Sequence, residues 1–183
     1  MRIVFCVISI SLLLVSCVDL EKSTQLKQLE QLGNKIDSIK IVLIELRSDA
    51  FRNETNQNTK KLNEVLDYLA SDTLMESEAR LIDDYFKTTQ KMQLLLKNMD
   101  VMNNQLNEEK TRIRKLVKDI SNGFGKRNKY DEYIRFEQNQ CSLAETTIAE
   151  YRSKRDLLTT KATKLNDEIF ILKENYMTKK LEQ

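Results

Sequence analysis

The chain has no proline, no tryptophan, no histidine and three glycines in 183 residues. So few breakers favour long helices over sheets or disorder. The missing histidine removes the commonest general base and metal ligand. Gly123-Phe124-Gly125 lacks the lysine and the spacing of a phosphate loop and precedes no strand–helix unit. The carboxylates fall at heptad surface positions, where solvated salt-bridge faces are the ordinary explanation. Neither an enzyme, nor a cofactor, nor a metal site is therefore expected. An excess of one charge sign is also missing, since 30 Lys+Arg stand against 28 Asp+Glu, and only the local distribution of charge can point to a partner.

Arg2 followed by the apolar run Ile3–Val15 has the positive start and short hydrophobic core of an export signal over residues 1–16. The run is too short for a comfortable membrane span. It ends in Leu14-Val15-Ser16-Cys17, which resembles a bacterial lipobox: an aliphatic residue three before the cysteine, a small residue directly before it, and an apolar core upstream. The resemblance implies that Cys17 is lipidated and becomes the first mature residue. Several acyl chains at one residue anchor stably where a single chain does not. Val18 is not the Asp that holds such lipoproteins in the inner membrane of enteric-type bacteria, which favours the outer membrane.

Cysteine usage fits this picture. Cys6 leaves with the signal and Cys17 carries lipid, so Cys141 has no intramolecular partner. A small buried thiol and an intermolecular disulfide are the two states open to it. Stability must come from helix packing.

Leu29, Leu32, Ile36, Ile39, Leu43, Leu46 and Ala50 alternate in steps of three and four, the seam of a coiled-coil helix. The polar stretch Arg52–Lys61 interrupts it, and Leu62, Leu66 and Leu69 resume it on a shifted face; a local stutter and a flexible joint both fit. Ser71-Asp72-Thr73 with Glu76 matches a capping box between two helices. A second helix carries Tyr85, Met92, Met99, Leu106, Ile113 and Ile120 on one position of the repeat and Leu81, Leu95, Met102 and Leu116 on the other, with Thr88 and Glu109 as polar exceptions. Ser121-Asn122-Gly123-Phe124-Gly125 then reverses the chain. The third helix carries Ile134, Cys141, Ile148, Ala162, Ile169 and Tyr176, with Ala144, Tyr151, Leu158, Leu165 and Leu172, and with Arg155 as its exception.

The expected fold is all-α, an elongated antiparallel three-helix coiled-coil bundle with helices over about 21–70, 74–120 and 130–181. Residues 17–28 form the lipidated cysteine with a tether or the start of the first helix, and 29–183 a single bundle. Reversal about Gly125 pairs residues whose numbers sum to about 250, and reversal about Asp72–Thr73 pairs those summing to about 145. These sums predict the layers Leu46/Met99/Tyr151, Leu43/Met102/Ile148 and Ile39/Leu106/Ala144. Leu62, Leu66 and Leu69 are expected against Met75, Ala79, Ile82 and Phe86. Arg155 beside Ala50, and Glu109 beside Cys141 and Ile36, either form polar layers or reach out to water; the second is the favoured reading.

Charge is uneven around the second turn, where Lys110, Arg112, Arg114, Lys115, Lys118, Lys126, Arg127 and Lys129 face the single acid Asp119. The candidate binding tip comprises Lys118, Phe124, Lys126, Arg127, Lys129, Tyr130 and Tyr133. Such a tip suits an acidic or sulfated polymer, an anionic lipid surface or an acidic patch on a protein. Nucleic acid is not an expected partner of an exported chain. Three full-length helices running out, back and out would return the tip to the lipid; a loose tether before residue 28, or a joint at 52–61, would turn it outward.

A lipobox at Leu14–Cys17 followed by a Lys-, Asn- and Ile-rich, proline-free helical region is similar to the small surface lipoproteins of Borrelia-type spirochaetes. Among these, the helical factor H-binding lipoproteins of relapsing-fever species have a loop between coiled-coil segments that resembles Ser121–Asn128. The likeness is one of organisation, and no binding residue is carried over from it. It implies a lipid-anchored outer-membrane protein at the cell surface that binds a host protein such as the complement regulator factor H through an inter-helix loop and adjoining helix faces. A periplasmic lipoprotein that spaces or braces the envelope through an envelope-protein partner is the alternative, and the same seams allow a homo-oligomer.

Overall fold

Apolar residues in alternating steps of three and four fall on one stripe of a helix, and such stripes leave water only by packing on one another. The computed structural model describes residues 2–69 and 74–181, with side chains over 20–69, 74–126 and 128–178. It contains α1 (Arg2–Leu46), α2 (Asp49–Leu69), α3 (Glu76–Asn122) and α4 (Tyr130–Leu181), with a 3-10 turn over Arg127–Lys129. There is no strand among the described residues, and the fold is an all-α helical bundle. The capping box at Ser71–Thr73 and the side chain of Cys17 lie outside what is described.

Contacts group the chain into two compact units, one of Met1–Ile41 with Asn103–Thr146 and the other of Val42–Met102 with Thr147–Gln183. In the first unit the α1 seam Leu29, Leu32, Ile36 and Ile39 is buried, as are Leu106, Ile113 and Ile120 of α3 and Ile134, Cys141 and Ala144 of α4. Asp37 pairs with Lys110, Lys40 donates to Asn107, and Arg112 pairs with Glu137. Lys35 pairs with Glu145 and Gln25 donates to Asp131. Partner numbers move in opposite directions for α1 with α3 and in the same direction for α1 with α4, so α3 runs antiparallel to the other two. The pair Arg112–Glu137 falls within one residue of the register expected about Gly125.

The second unit repeats this arrangement with α2 in the place of α1. Arg52 pairs with Asp100 and Asn58 donates to Met92 Sδ, setting α2 antiparallel to α3. Lys161 pairs with Asp84 and the Tyr176 hydroxyl donates to Glu78, setting α3 antiparallel to α4. Leu62, Val65 and Leu69 pack with Ile82 and Tyr85 and with Leu165, Ile169, Leu172 and Tyr176, and Leu74 and Leu81 close the edge. The partners expected here need correcting. Val65, not Leu66, occupies the seam, and Leu66, Met75, Ala79 and Phe86 are exposed.

The first helix also breaks elsewhere than expected. It stops at Leu46, and Ser48 starts α2 by accepting a hydrogen bond on its hydroxyl from the Phe51 N–H at 3.4 Å, a weak N-cap. The reason lies in the phase of the seam. Steps of three and four run from Leu29 to Leu46, then a step of five leads to Phe51, and the steps resume through Thr55, Asn58, Leu62, Val65 and Leu69, all buried. Breaking the helix at Arg47–Ser48 absorbs the extra residue, leaves Ala50 exposed and returns α2 to the core. Arg47 and Arg52, on either side of the break, both reach Asp100 of α3. The stretch 52–61 is thus neither stutter nor joint; its Thr55 and Asn58 are polar members of one continuous seam.

Asn58 matters most among them. Its Oδ1 accepts from Asn166 Nδ2 at 2.9 Å, and the Tyr85 hydroxyl, 3.4 Å from that oxygen, gives its one proton to Asn166 Oδ1 at 2.8 Å. Asn58 and Tyr85 are fully enclosed, and burial pushes the Tyr85 phenol up to about 12, so it remains a donor. One polar layer thereby joins α2, α3 and α4. Replacing Asn58 by Ala takes the acceptor from the Asn166 amide and opens a void beside the Tyr85 hydroxyl, and should cost about 1–3 kcal/mol in urea denaturation with native helicity retained. An unchanged urea midpoint would remove the layer from the account of stability.

Candidate functional site

The α3–α4 turn is built by backbone demands before any surface chemistry is considered. Gly123 follows the last helical residue with φ 69°, a conformation that costs a side chain dearly. Its N–H donates to Ile120 O at 3.2 Å and the Phe124 N–H to Asp119 O at 2.9 Å, the paired bonds of a Schellman ending. Gly125, with φ 97°, lets the chain turn again beside the Tyr130 ring. Tyr130 is buried and donates its hydroxyl to the Phe124 carbonyl. The Lys129 N–H closes the 3-10 turn on Lys126 O, and α4 begins.

This architecture sorts the expected tip residues. Phe124 is 63% exposed and Tyr133 48% exposed, and Lys118, Lys126 and Lys129 are exposed. Tyr130 has to be corrected from surface to scaffold, because its ring lies inside and its hydroxyl holds the turn. The side chain of Arg127 lies outside those described.

Of the eight basic residues counted around the turn, Lys110 and Arg112 are engaged with Asp37 and Glu137, and Lys129 pairs with Glu132 at 3.2 Å. Arg114, Lys115, Lys118 and Lys126 are exposed and enter no ion pair among the described residues. Lys22 Nζ donates to the Ser121 carbonyl at 2.8 Å, bringing one more cation to the end of α3, where the helix dipole favours it.

Behind the turn the first unit encloses an acidic pair. Glu137 is buried and receives Arg112 Nε at 3.0 Å. Glu109 is also buried, and its Oε1 has no hydrogen-bond partner. It does not reach out to water as expected, whereas Arg155 does turn aside to Asp156 at 2.8 Å. Burial, then the Glu137 carboxylate, pushes the Glu109 carboxyl up to about 6, with Arg112 opposing. Cys141, in the same layer, is a fully buried free thiol that burial raises to about 11. Of the two states open to it, the buried thiol is the one observed.

The second unit presents a different surface between α3 and α4. Leu94 is 56% exposed and Leu157 69% exposed, and they flank a groove of about 510 Å³ that Tyr151, Leu95 and Leu158 also line. Lys91, Lys154 and Lys161 stand on its rim; Lys154 and Lys161 pair with Glu150 and Asp84. This strip was not singled out from the sequence, although Leu94 and Leu157 are apolar residues one place off the seam and could have been noticed on that ground.

Among the described residues, no group of three or more Cys, Asp or Glu is placed to hold a metal ion. Compared with protein-family models, with curated proteins and with solved structures, the chain matches none.

Two measurements probe the buried layer. Because the folded value of Glu109 lies above its ordinary 4.5, the stability it favours is fully present below pH 4.5 and is lost as pH rises through 6. The shift corresponds to about 2 kcal/mol. Glu109→Gln should therefore be more stable than the parent at pH 7.5 by about 1–2 kcal/mol and show a flatter dependence between pH 4.5 and 7. A variant less stable at pH 7.5 would mean that the charged carboxylate is held by Arg112. Cys141 should resist alkylation in the native protein and react fully in denaturant; rapid native labelling would contradict its burial.

Proposed function

We propose that the chain is a lipid-anchored lipoprotein of the bacterial outer membrane, displayed at the cell surface, which binds a host protein such as the complement regulator factor H and has no catalytic role. The membrane part of this reading rests on Leu14-Val15-Ser16-Cys17 behind the apolar run Ile3–Val15. No helix of the described residues is long and apolar enough to cross a membrane. The acyl chains at Cys17 would supply the attachment, since two or more chains hold a protein at a bilayer stably.

The single observation that carries the binding part is the exposed apolar strip of α3 and α4 in the second unit. Leucines more than half exposed on both walls of one groove are the kind of anchor a protein partner covers, and a rim of ion pairs, Lys154 with Glu150 and Lys161 with Asp84, is the polar border such a contact has. The resemblance to factor H-binding lipoproteins implies contact through a loop and adjoining helix faces; exposed apolar area favours the helix face. With seams already buried in three-helix packing, this strip is surplus to the core.

Shaving intact cells with protease, with a known periplasmic protein as control, tests the placement. The protein should be digested while the control survives, and Cys17→Ser should abolish incorporation of labelled palmitate. Protection until the outer membrane is opened would replace surface binding by the periplasmic spacer role. If surface placement holds, Leu94→Glu with Leu157→Glu should reduce factor H capture about tenfold or more without lowering helicity; undiminished capture would exclude the strip.

A further inference from the structure

We infer that the basic turn between α3 and α4 is a docking surface for an anionic phospholipid bilayer, applied to it by acyl chains at Cys17; this rests on the lipid-anchor reading above. Position is the first ground. Lys22 Nζ holds the Ser121 carbonyl at 2.8 Å, and Gln25 Nε2 holds Asp131 Oδ1 at 2.8 Å, so the start of the α1 seam is fastened on both sides of the turn. Lys22 lies five residues after Cys17. Five residues span about 7.5 Å as helix and at most about 18 Å fully extended. The turn is therefore kept beside the surface into which the acyl chains insert, whatever conformation the linking residues take.

Charge is the second ground. Arg114, Lys115, Lys118 and Lys126 are exposed without an ion-pair partner among the described residues, and Lys22 stands beside them. Of the nearby acids, Glu132 holds Lys129; Glu21, Asp119 and Asp131 keep their charge, and the five cations outnumber them. Asp119 is half-buried against the turn it helps to close. Unpaired cations attract anionic headgroups only within about a Debye length of roughly 8–10 Å, and a covalent lipid on the same unit holds them in that range.

Aromatic exposure is the third ground. Phe124 projects from the turn between two glycines, and Tyr133 and Phe136 are about half exposed on the first turns of α4. Aromatic side chains bordered by lysines suit the headgroup layer of a bilayer, which takes up the ring and leaves the charge in water. A soluble protein would have to displace the bilayer to reach this turn. Capture of a host protein is thereby left to the α3–α4 strip of the second unit.

The test uses the lipidated full-length mature protein with two kinds of vesicle, one of phosphatidylcholine alone and one in which a third of the lipid is phosphatidylglycerol. Flotation reads the anchor and hydrogen exchange over residues 121–129 reads the turn. The expected result is flotation with both vesicles, exchange slowed about tenfold only on the anionic ones, and loss of that protection in high salt. Lys118→Glu with Lys126→Glu should abolish the protection and leave flotation unchanged. Flotation with equal exchange on both vesicles would overturn the docking and leave the anchor intact. Failure to float with neutral vesicles would overturn the anchor reading itself. Protection of the turn by factor H in the absence of vesicles would assign the surface to the protein partner instead.

Discussion

An apolar stripe repeats every seven residues, so two helices that bury such stripes can slide by a heptad and hide the same kind of surface. The freedom to slip is removed here by buried polar groups that find partners in only one register. Asn58, Tyr85 and Asn166 exchange hydrogen bonds in the second unit across all three of its helical segments. Arg112 and Glu137 do the same in the first unit across two. A slip would leave Asn58, Tyr85 and Glu137 enclosed without their partners, and an enclosed polar atom without a partner outweighs what neutral sliding returns. Glu109 illustrates the opposite case: enclosed but lacking a partner at Oε1, it fixes nothing and is driven toward the neutral form.

Much of this core was legible because burial of apolar residues follows from spacing alone. Leu29 to Leu46, Tyr85 to Ile120 and Ile134 to Tyr176 fall on the stripe at the positions their spacing assigns, with Tyr151, Leu81 and Leu116 half-buried at its edges. What escaped were the polar members of the same stripe. Gln25, Thr55, Asn58 and Glu137 sit in step with their apolar neighbours, yet a search for hydrophobic periodicity passes over them. Omitting Thr55 and Asn58 made a continuous seam look interrupted, and so moved the apparent fault from Arg47–Ser48 to the polar stretch beyond it. The five-residue interval before Phe51 was the signal that could have located it.

The candidate site was legible as composition and not as geometry. Counting cations from Lys110 to Lys129 cannot reveal that Lys110 and Arg112 are paired with acids on other helices, because those partners are distant in sequence. Nor does the number of aromatics say which are scaffold. Tyr130 falls seven residues before Glu137 and fourteen before Ala144, on the buried stripe, and that spacing separates it from exposed Phe124 and Tyr133. What remains at the surface, among the described residues, is a smaller and sharper set: four cations in no ion pair, Arg114, Lys115, Lys118 and Lys126, and three exposed rings on and beside one turn.

The manner in which that turn is closed has a consequence for how the protein can change over generations. Its path is set by two glycines, by main-chain bonds to Asp119 and Ile120, and by an enclosed phenol that grips a main-chain carbonyl. None of these fastenings uses the side chain of Phe124 or Lys126. Substitution at those outward positions leaves the loop's shape alone, so the surface chemistry of the turn can be retuned one residue at a time while the bundle beneath is preserved.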